Sequence, residues 1–232
     1  MPDGFKDHGG VYRVRAFQAL NWLDHGFGTR NSPAFDALPA TQAKQVHSDR
    51  VLTVREASTC AGVGDALVTD RPGLRLAVRT ADCIPVLLVD REKRVVAAVH
   101  AGWRGTLAGI AQRTVETMTQ KFGCAPEDLE AALGPGIGAC CFEVGPEVAK
   151  LFDPQQETKT RLDLHGLNRR QLISAGLRPA KIHLVGLCTR CAESDFYSFR
   201  RDGARAGRMV SSIALLETRT SLQQPRPCEQ KN

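Results

Sequence analysis

The stretch Thr80-Ala81-Asp82-Cys83-Ile84-Pro85-Val86-Leu87-Leu88-Val89-Asp90-Arg91-Glu92-Lys93-Arg94-Val95-Val96-Ala97-Ala98-Val99-His100 decides the fold. Its two apolar runs, 84–89 and 95–99, have the length of buried strands and fall far short of the ~20 residues that a membrane-spanning helix needs. The charged segment Asp90-Arg91-Glu92-Lys93 between them reads as a turn. Two adjacent antiparallel strands joined in this way carry Cys83 and His100 to the same end of a sheet.

Further β-rich runs occur at 11–17, 51–54, 66–69 and 74–78, separated by Gly, Pro, Asp or charged residues, and strands return at 182–187 and 209–215. The first strong helical pattern spans Thr106 to Phe122, with apolar positions 107, 110, 111, 115, 118 and 122, and Gly123 and Pro126 stop it. A second follows Asp163, an N-cap, as far as Gly176. Runs of strands with helices added afterwards predict an α+β, layered architecture rather than a regular βαβ alternation. No repeat or flexible linker divides the chain, so residues 1–218 are expected to form one domain, with 219–232 a disordered tail rich in Gln, Pro and Lys.

The 232 residues are 42% hydrophobic and 24% charged, a balance that excludes disordered and fibrous classes. The formal charge is +6, and the surplus lies in residues 160–232, which carry 13 Lys or Arg against 6 Asp or Glu. Its arginines are scattered with few aromatics between them, a pattern that reads as a solvated basic face rather than a nucleic-acid surface and would still attract anionic small molecules. The first residues lack an apolar export signal, so the expected compartment is the cytoplasm and no membrane partner is expected. There the eight cysteines are expected as thiols or metal ligands rather than disulfides.

Candidate chemistry lies between His47 and Glu143. His47, Cys83 and His100 offer imidazole and thiolate donors, a set that suits zinc and leaves a fourth position open for water or substrate. The same residues admit a second reading, with Cys83 a thiolate nucleophile and His100 its base. Asp65 and Asp82 are candidates for orienting ligands, contacting ribose or moving protons, or else for hydrogen bonding in turns. The turn Ala101-Gly102-Trp103-Arg104-Gly105-Thr106 leads from a strand into a helix and suits an anion, which assigns Gly102, Arg104 and Gly105 to phosphate; the same residues also read as a tight turn with Trp103 packed in the core. Gly134 to Glu143 is a poor dinucleotide fingerprint, since Cys140-Cys141-Phe142 reads as extended and no helix opens there. It reads instead as an active-site loop, with Gly136, Gly138, Cys140 and Glu143 in substrate contact. Cys188-Thr189-Arg190-Cys191 is half of a possible zinc or redox site without a convincing second pair, and buried thiols are the expectation.

Taken in order, Gln45-Val46-His47, Gly64 to Thr69, Thr80 to Val86, His100 to Gly105, Leu133 to Val144, Asp163-Leu164 with Leu167-Asn168-Arg169, Cys188-Thr189 and Phe199 to Gly203 resemble the YfiH family. This family is also labelled polyphenol oxidase, laccase-domain protein and purine nucleoside phosphorylase, and the resemblance spans roughly residues 20 to 216. It implies an α/β/β/α arrangement of two packed mixed sheets flanked by helices, similar to the catalytic domain of cytotoxic necrotizing factors. It implies zinc on His47, Cys83 and His100, with phosphorolysis of adenosine, inosine, guanosine and methylthioadenosine and deamination of adenosine. A cell-wall reading, removal of misincorporated serine from a peptidoglycan precursor, is the alternative. A copper laccase is a third, although the six histidines are isolated and form no His-x-His pair, and copper is expected only as a substitute metal. The chain departs from the family in a short segment, 31–44, and in Arg79, where relatives commonly carry an apolar residue. The expected assembly is a monomer or a homodimer.

Overall fold

The computed structural model describes residues 5–7 and 9–217. The expected tail, 219–232, lies outside them, as does the 218 boundary. Five strands form one sheet in the order β1 (Phe5–Asp7), β2 (Val11–Val14), β3 (Leu23–Gly28), β13 (Met209–Leu215), β6 (Arg75–Thr80). Six form a second, in the order β12 (Ile182–Leu184), β9 (Leu129–Leu133), β7 (Ile84–Asp90), β8 (Val95–Ala101), β5 (Ala66–Thr69), β4 (Val51–Thr53). The second sheet is antiparallel at its centre and parallel at both edges. The first is antiparallel strand to strand, with a parallel bridge from Thr41 to Leu76 at its β6 edge. A small ribbon pairs β10 (Glu143–Val144) with β11 (Thr160–Arg161).

The continuous apolar runs are explained by burial on both faces. Along β7, Ile84, Val86 and Leu88 enter the core beneath the helices, whereas Leu87 and Val89 enter the core between the two sheets. In β8, Val95, Ala97 and Val99 take the helical side and Val96 and Ala98 the other. A strand buried on both faces has no polar alternation to show, which is the pattern of its sequence. Burying each such Leu, Ile or Val contributes roughly 1.5–3 kcal/mol.

Among the described residues seven α-helices complete the fold: α1 (Arg15–Gln18), α2 (Pro33–Asp36), α3 (Trp103–Leu107), α4 (Ile110–Phe122), α5 (Pro146–Phe152), α6 (Leu164–Ser174) and α7 (Phe199–Asp202). Helix α4 buries Ile110, Ala111, Thr114, Val115 and Met118, one stripe at helical spacing, and Gly123 ends it with φ 68°. Asp163 caps α6 by accepting from the Gly166 N–H. On the opposite face of the molecule, Phe35 of α2 lies over Gly26 of β3, where a Cβ would come within 2.9 Å of its ring. The order of layers is therefore helices, six-stranded sheet, five-stranded sheet, and the short α2.

Three expectations are corrected. The helix read as 106–122 starts at Trp103 and breaks at Gly109, whose φ of 80° suits glycine, giving α3 and α4. The run 11–17 is a strand only to Val14, after which Arg15–Gln18 coil into α1 and bury Phe17. Cys140-Cys141-Phe142 is a tight turn rather than extended chain, with the N–H groups of Cys141 and Phe142 both donating to Gly138 O. Among the described residues no helix is long and apolar enough to cross a membrane.

Candidate metal centre and its cavity

The β7–β8 hairpin delivers what its turn promised. Pro85 pairs with His100 and Ile84 with Ala101, so Cys83, one residue before β7, and His100, near the end of β8, share one sheet end. His47 reaches them from the segment before β4, in a left-handed conformation with φ 62°. Its Nε2 lies 3.9 Å from Cys83 Sγ, and its ring meets the His100 ring edge-on at 4.8 Å between centroids. The ligand atoms of the three residues all lie within 4.8 Å of one another.

Asp65 builds this convergence. Fully buried just before β5, it accepts from the N–H groups of Val46, His47 and Ser48, from Ser48 Oγ, and from His100 Nδ1 at 2.8 Å. Burial pushes its carboxyl pKa up, but the hydrogen bonds from His100, Ser48 and His47 outweigh this and hold it well below the usual carboxylate range. With Nδ1 committed to Asp65, His100 presents Nε2 to the cluster, the carboxylate–histidine pairing found behind metal ligands. Burial lowers the His100 pKa, yet its bonds to Asp65 and Cys83 lift it to about 9. Burial raises the Cys83 pKa, yet hydrogen bonds to His100 and His47 bring it to about 6. Gly102 closes the back of the cluster. A Cβ there would stand 2.9 Å from both Cys83 Sγ and His47 Cδ2. Soft thiolate, two imidazoles and a buried carboxylate behind one of them fit a zinc-type ion by donor chemistry.

The cluster opens on a cavity of about 680 Å³. Trp103, Ile137, Phe142 and Phe199 supply apolar wall, while Arg79, Arg104, Arg200 and Arg208 supply positive charge. The Arg104 guanidinium stacks on Trp103 at 4.5 Å and that of Arg200 on Phe142 at 5.2 Å. Gln45 holds the His47 segment in place, its side-chain amide exchanging two 2.8 Å hydrogen bonds with the main chain of Arg79.

The other assigned residues fare unevenly. Asp82 borders the cavity with φ 84°, but its carboxylate is taken up by Thr189 Oγ1 at 2.7 Å and the Arg200 N–H at 2.6 Å, so it acts as a clasp between loops. Arg104 borders the cavity as read, whereas Gly105 packs beneath Ser48. Gly136, Gly138, Cys140 and Glu143 do not line it; Ile137 and Phe142 represent their loop. Arg79, Arg200, Arg208, Trp103 and Phe199 were assigned no part in the site from the sequence, although Trp103, Phe199 and Arg200 lie within motifs singled out there and Arg79 was noted as a departure from the family.

Fold and site together define an α+β protein in which a Cys/His/His cluster floors an arginine-rimmed cavity at the end of a sheet. The chain belongs to the family described as multi-copper polyphenol oxidoreductase laccase, the YfiH family, whose pattern it matches over residues 30–216. It is 47% identical over 160 residues to a protein of Deinococcus radiodurans called purine nucleoside phosphorylase, covering 66% of this chain and 61% of that one. It is 37% identical over 216 residues to adenosine deaminase RL5, from an unknown prokaryotic organism, covering 84% and 82%. The crystal structure of the hypothetical protein YfiH of Bacillus licheniformis superposes with a TM-score of 0.82 at 31% identity, covering 92% of this chain and 99% of that one. The alignments span about three fifths of the length of the first two curated relatives.

Proposed function

We propose that the chain is a zinc-dependent purine nucleoside phosphorylase, acting on adenosine, inosine, guanosine and methylthioadenosine, that also deaminates adenosine. The observation that carries this reading is the convergence of His47, Cys83 and His100 on a cavity with four arginines and aromatic walls. Relatives named for both activities support it.

His47, Cys83 and His100 would hold the zinc, which would supply Lewis acidity toward an oxygen of phosphate or water. Trp103, Phe142 and Phe199 offer faces to a purine, and Arg79, Arg104 and Arg200 offer guanidinium groups to phosphate. In phosphorolysis a phosphate oxygen bonds to C1′ as the bond from C1′ to the purine nitrogen breaks, and the purine leaves with the electron pair and takes up a proton. The arginines keep the anion oriented through a transition state in which positive charge gathers on the sugar. Asp65 keeps the His100 tautomer and the His47 segment in place, and Asp82 keeps the loops of Thr189 and Arg200 against the cavity.

The test is metal content followed by chromatography of adenosine, inosine and methylthioadenosine incubated with and without phosphate. Phosphate-dependent release of free base, inosine formation from adenosine, and loss of both with zinc in His47→Ala or Cys83→Ala are expected. A zinc-loaded protein that releases neither base nor inosine defeats the reading. The lowered Cys83 pKa favours a second reading, a metal-free hydrolase acting on an amide such as a peptidoglycan precursor. That reading predicts turnover abolished by iodoacetamide and spared by chelator. Copper-dependent oxidation of a phenol with oxygen uptake, absent from zinc-loaded protein, would instead support the laccase reading.

A further inference from the structure

The chain carries a second cluster of metal-ligating side chains, which the cavity does not use. The turn at 138–142 presents Cys140 and Cys141, and the loop after β12 presents Cys188 and Cys191, fifty residues further on. All four are free thiols, and their sulfurs lie within 4.8 Å of one another. The closest approaches are 3.3 Å between Cys141 and Cys191 and 3.7 Å from Cys140 to both Cys141 and Cys191. These separations are well beyond an S–S bond of about 2.05 Å. They approximate the edge of a tetrahedron around one ion, ~3.8 Å for Zn–S bonds of 2.3 Å. A polynuclear iron–sulfur cluster spreads its cysteines over several iron atoms and needs a wider cage.

We propose that Cys140, Cys141, Cys188 and Cys191 bind a second zinc ion in a closed, structural tetrathiolate site. Two further features fit bound thiolates. Four thiolates around a divalent ion leave two net negative charges, and Arg190 Nη1 lies 3.5 Å from Cys141 Sγ. The Gly138 N–H points at Cys188 Sγ at 3.2 Å, the outer hydrogen bond expected of a coordinated sulfur. Binding releases the protons of those thiols that are protonated, with no change of oxidation state.

The placement says what the ion does. It staples the loop that carries Ile137 and Phe142 to the loop that carries Thr189, and Thr189 holds Asp82 beside Cys83. The two loops already meet through a bridge between Gly136 and Cys188 and a bond from the Thr189 N–H to Gly136 O. Metal would lock this seam, which lies behind the cavity wall supplied by Ile137 and Phe142.

The test is elemental analysis of the full-length protein purified without chelator, beside His47→Ala, Cys191→Ser and the double variant. Two zinc ions per chain are expected in the parent, one in each single variant and none in the double. In the His47→Ala protein, X-ray absorption should show the remaining zinc with four sulfur neighbours at ~2.3 Å. This readout isolates the second site even if Cys191→Ser fails to fold. A parent with a single zinc that survives in Cys191→Ser overturns the proposal. So does iron in place of the second zinc, a sulfur–nitrogen shell in His47→Ala, or a disulfide among the four cysteines found by mass spectrometry. Failure of the nucleoside assays leaves these counts untouched, so the two readings fall separately.

Discussion

Asp65 is fully buried, yet its two oxygens meet five donors: three successive main-chain N–H groups, one hydroxyl and His100 Nδ1. Replacement by asparagine keeps the size but swaps one acceptor oxygen for an NH₂ group, which would face N–H groups of the 46–48 segment or the His100 ring. Loss of such a partner behind a metal-bound histidine typically weakens binding 10–100-fold. Asp65→Asn is therefore expected to lower zinc affinity at the cavity site by that factor in a chelator competition, with the far-ultraviolet circular dichroism unchanged. Affinity equal to that of the parent would reduce Asp65 to a loop pin. A different buried residue adds to the acid sensitivity of the fold. His25 of β3 accepts from the Val14 N–H through Nε2, its Nδ1 has no hydrogen-bond partner, and burial drives its pKa down to about 3. The unfolded chain takes up this proton near pH 6.5 whereas the folded chain resists until about pH 3. Stability from neutral His25 is thus complete above pH 6.5 and falls as pH drops, by at most ~1.4 kcal/mol per unit. In urea titrations from pH 7 to pH 5, the parent should lose ground to His25→Leu, and a gap that stays constant with pH would contradict this.

At the scale of elements, β7 is packed on both faces, so truncation inside it opens a cavity that neither neighbour can easily collapse into. Leu88→Ala, which removes a fully buried side chain from the helical face, is expected to cost about 2–5 kcal/mol in urea unfolding. A loss below 1 kcal/mol would mean that α4 closes onto the gap. The same two-sided burial made β7 and β8 legible in the sequence, because an unbroken apolar run bounded by charge has few other homes. Strand β3 was not legible: its sequence Leu23-Asp24-His25-Gly26-Phe27-Gly28 reads as loop by composition. Its glycines are required because Phe35 covers Gly26, and Ser32, Asp36 and the Val210 carbonyl crowd Gly28 to within 2.8 Å of where a Cβ would stand. Those demands come from partners distant along the chain, which a local pattern does not contain. The break at Gly109 was hidden for a related reason, since the apolar spacing runs on through it while only its backbone turns left-handed. The Cys83–His100 half of the site was readable because one hairpin carries both residues. His47 was named for its donor chemistry alone, with no local pattern tying it to that hairpin until the family resemblance strengthened the set, and the pairing of Cys188 and Cys191 with Cys140 and Cys141 escaped because it requires the tertiary meeting of two loops.

At the scale of the molecule, the cavity is assembled from segments far apart in sequence: 42–47, residues 79–83, the β8–α3 turn, the loop of Ile137 and Phe142, and the segment 199–208. Each of the first, second, third and last of these faces the cavity with a polar or cationic group, so the basic surplus of the last third of the chain is drawn into the site through Arg200 and Arg208. This arrangement separates the two proposed reactions. Phosphorolysis needs an anion held beside the sugar, whereas deamination of adenosine needs only water. Hydrogen bonds to a charged group contribute about 1.5–3 kcal/mol each, equivalent to roughly 10–100-fold. Arg104→Ala and Arg200→Ala are therefore each expected to raise the KM for phosphate at least tenfold in phosphorolysis while changing phosphate-free deamination by less than threefold. Rising ionic strength should reproduce part of the phosphate effect in the parent, because the rim arginines stand in water and are screened over ~8–10 Å. If both reactions fall together in Arg104→Ala, its stacking on Trp103 matters more than its charge, and Arg104→Lys decides between them: the ammonium keeps the charge but cannot stack as a plane. Recovery of phosphate KM in the lysine variant assigns Arg104 to the anion, and continued loss of both reactions assigns it to the aromatic wall.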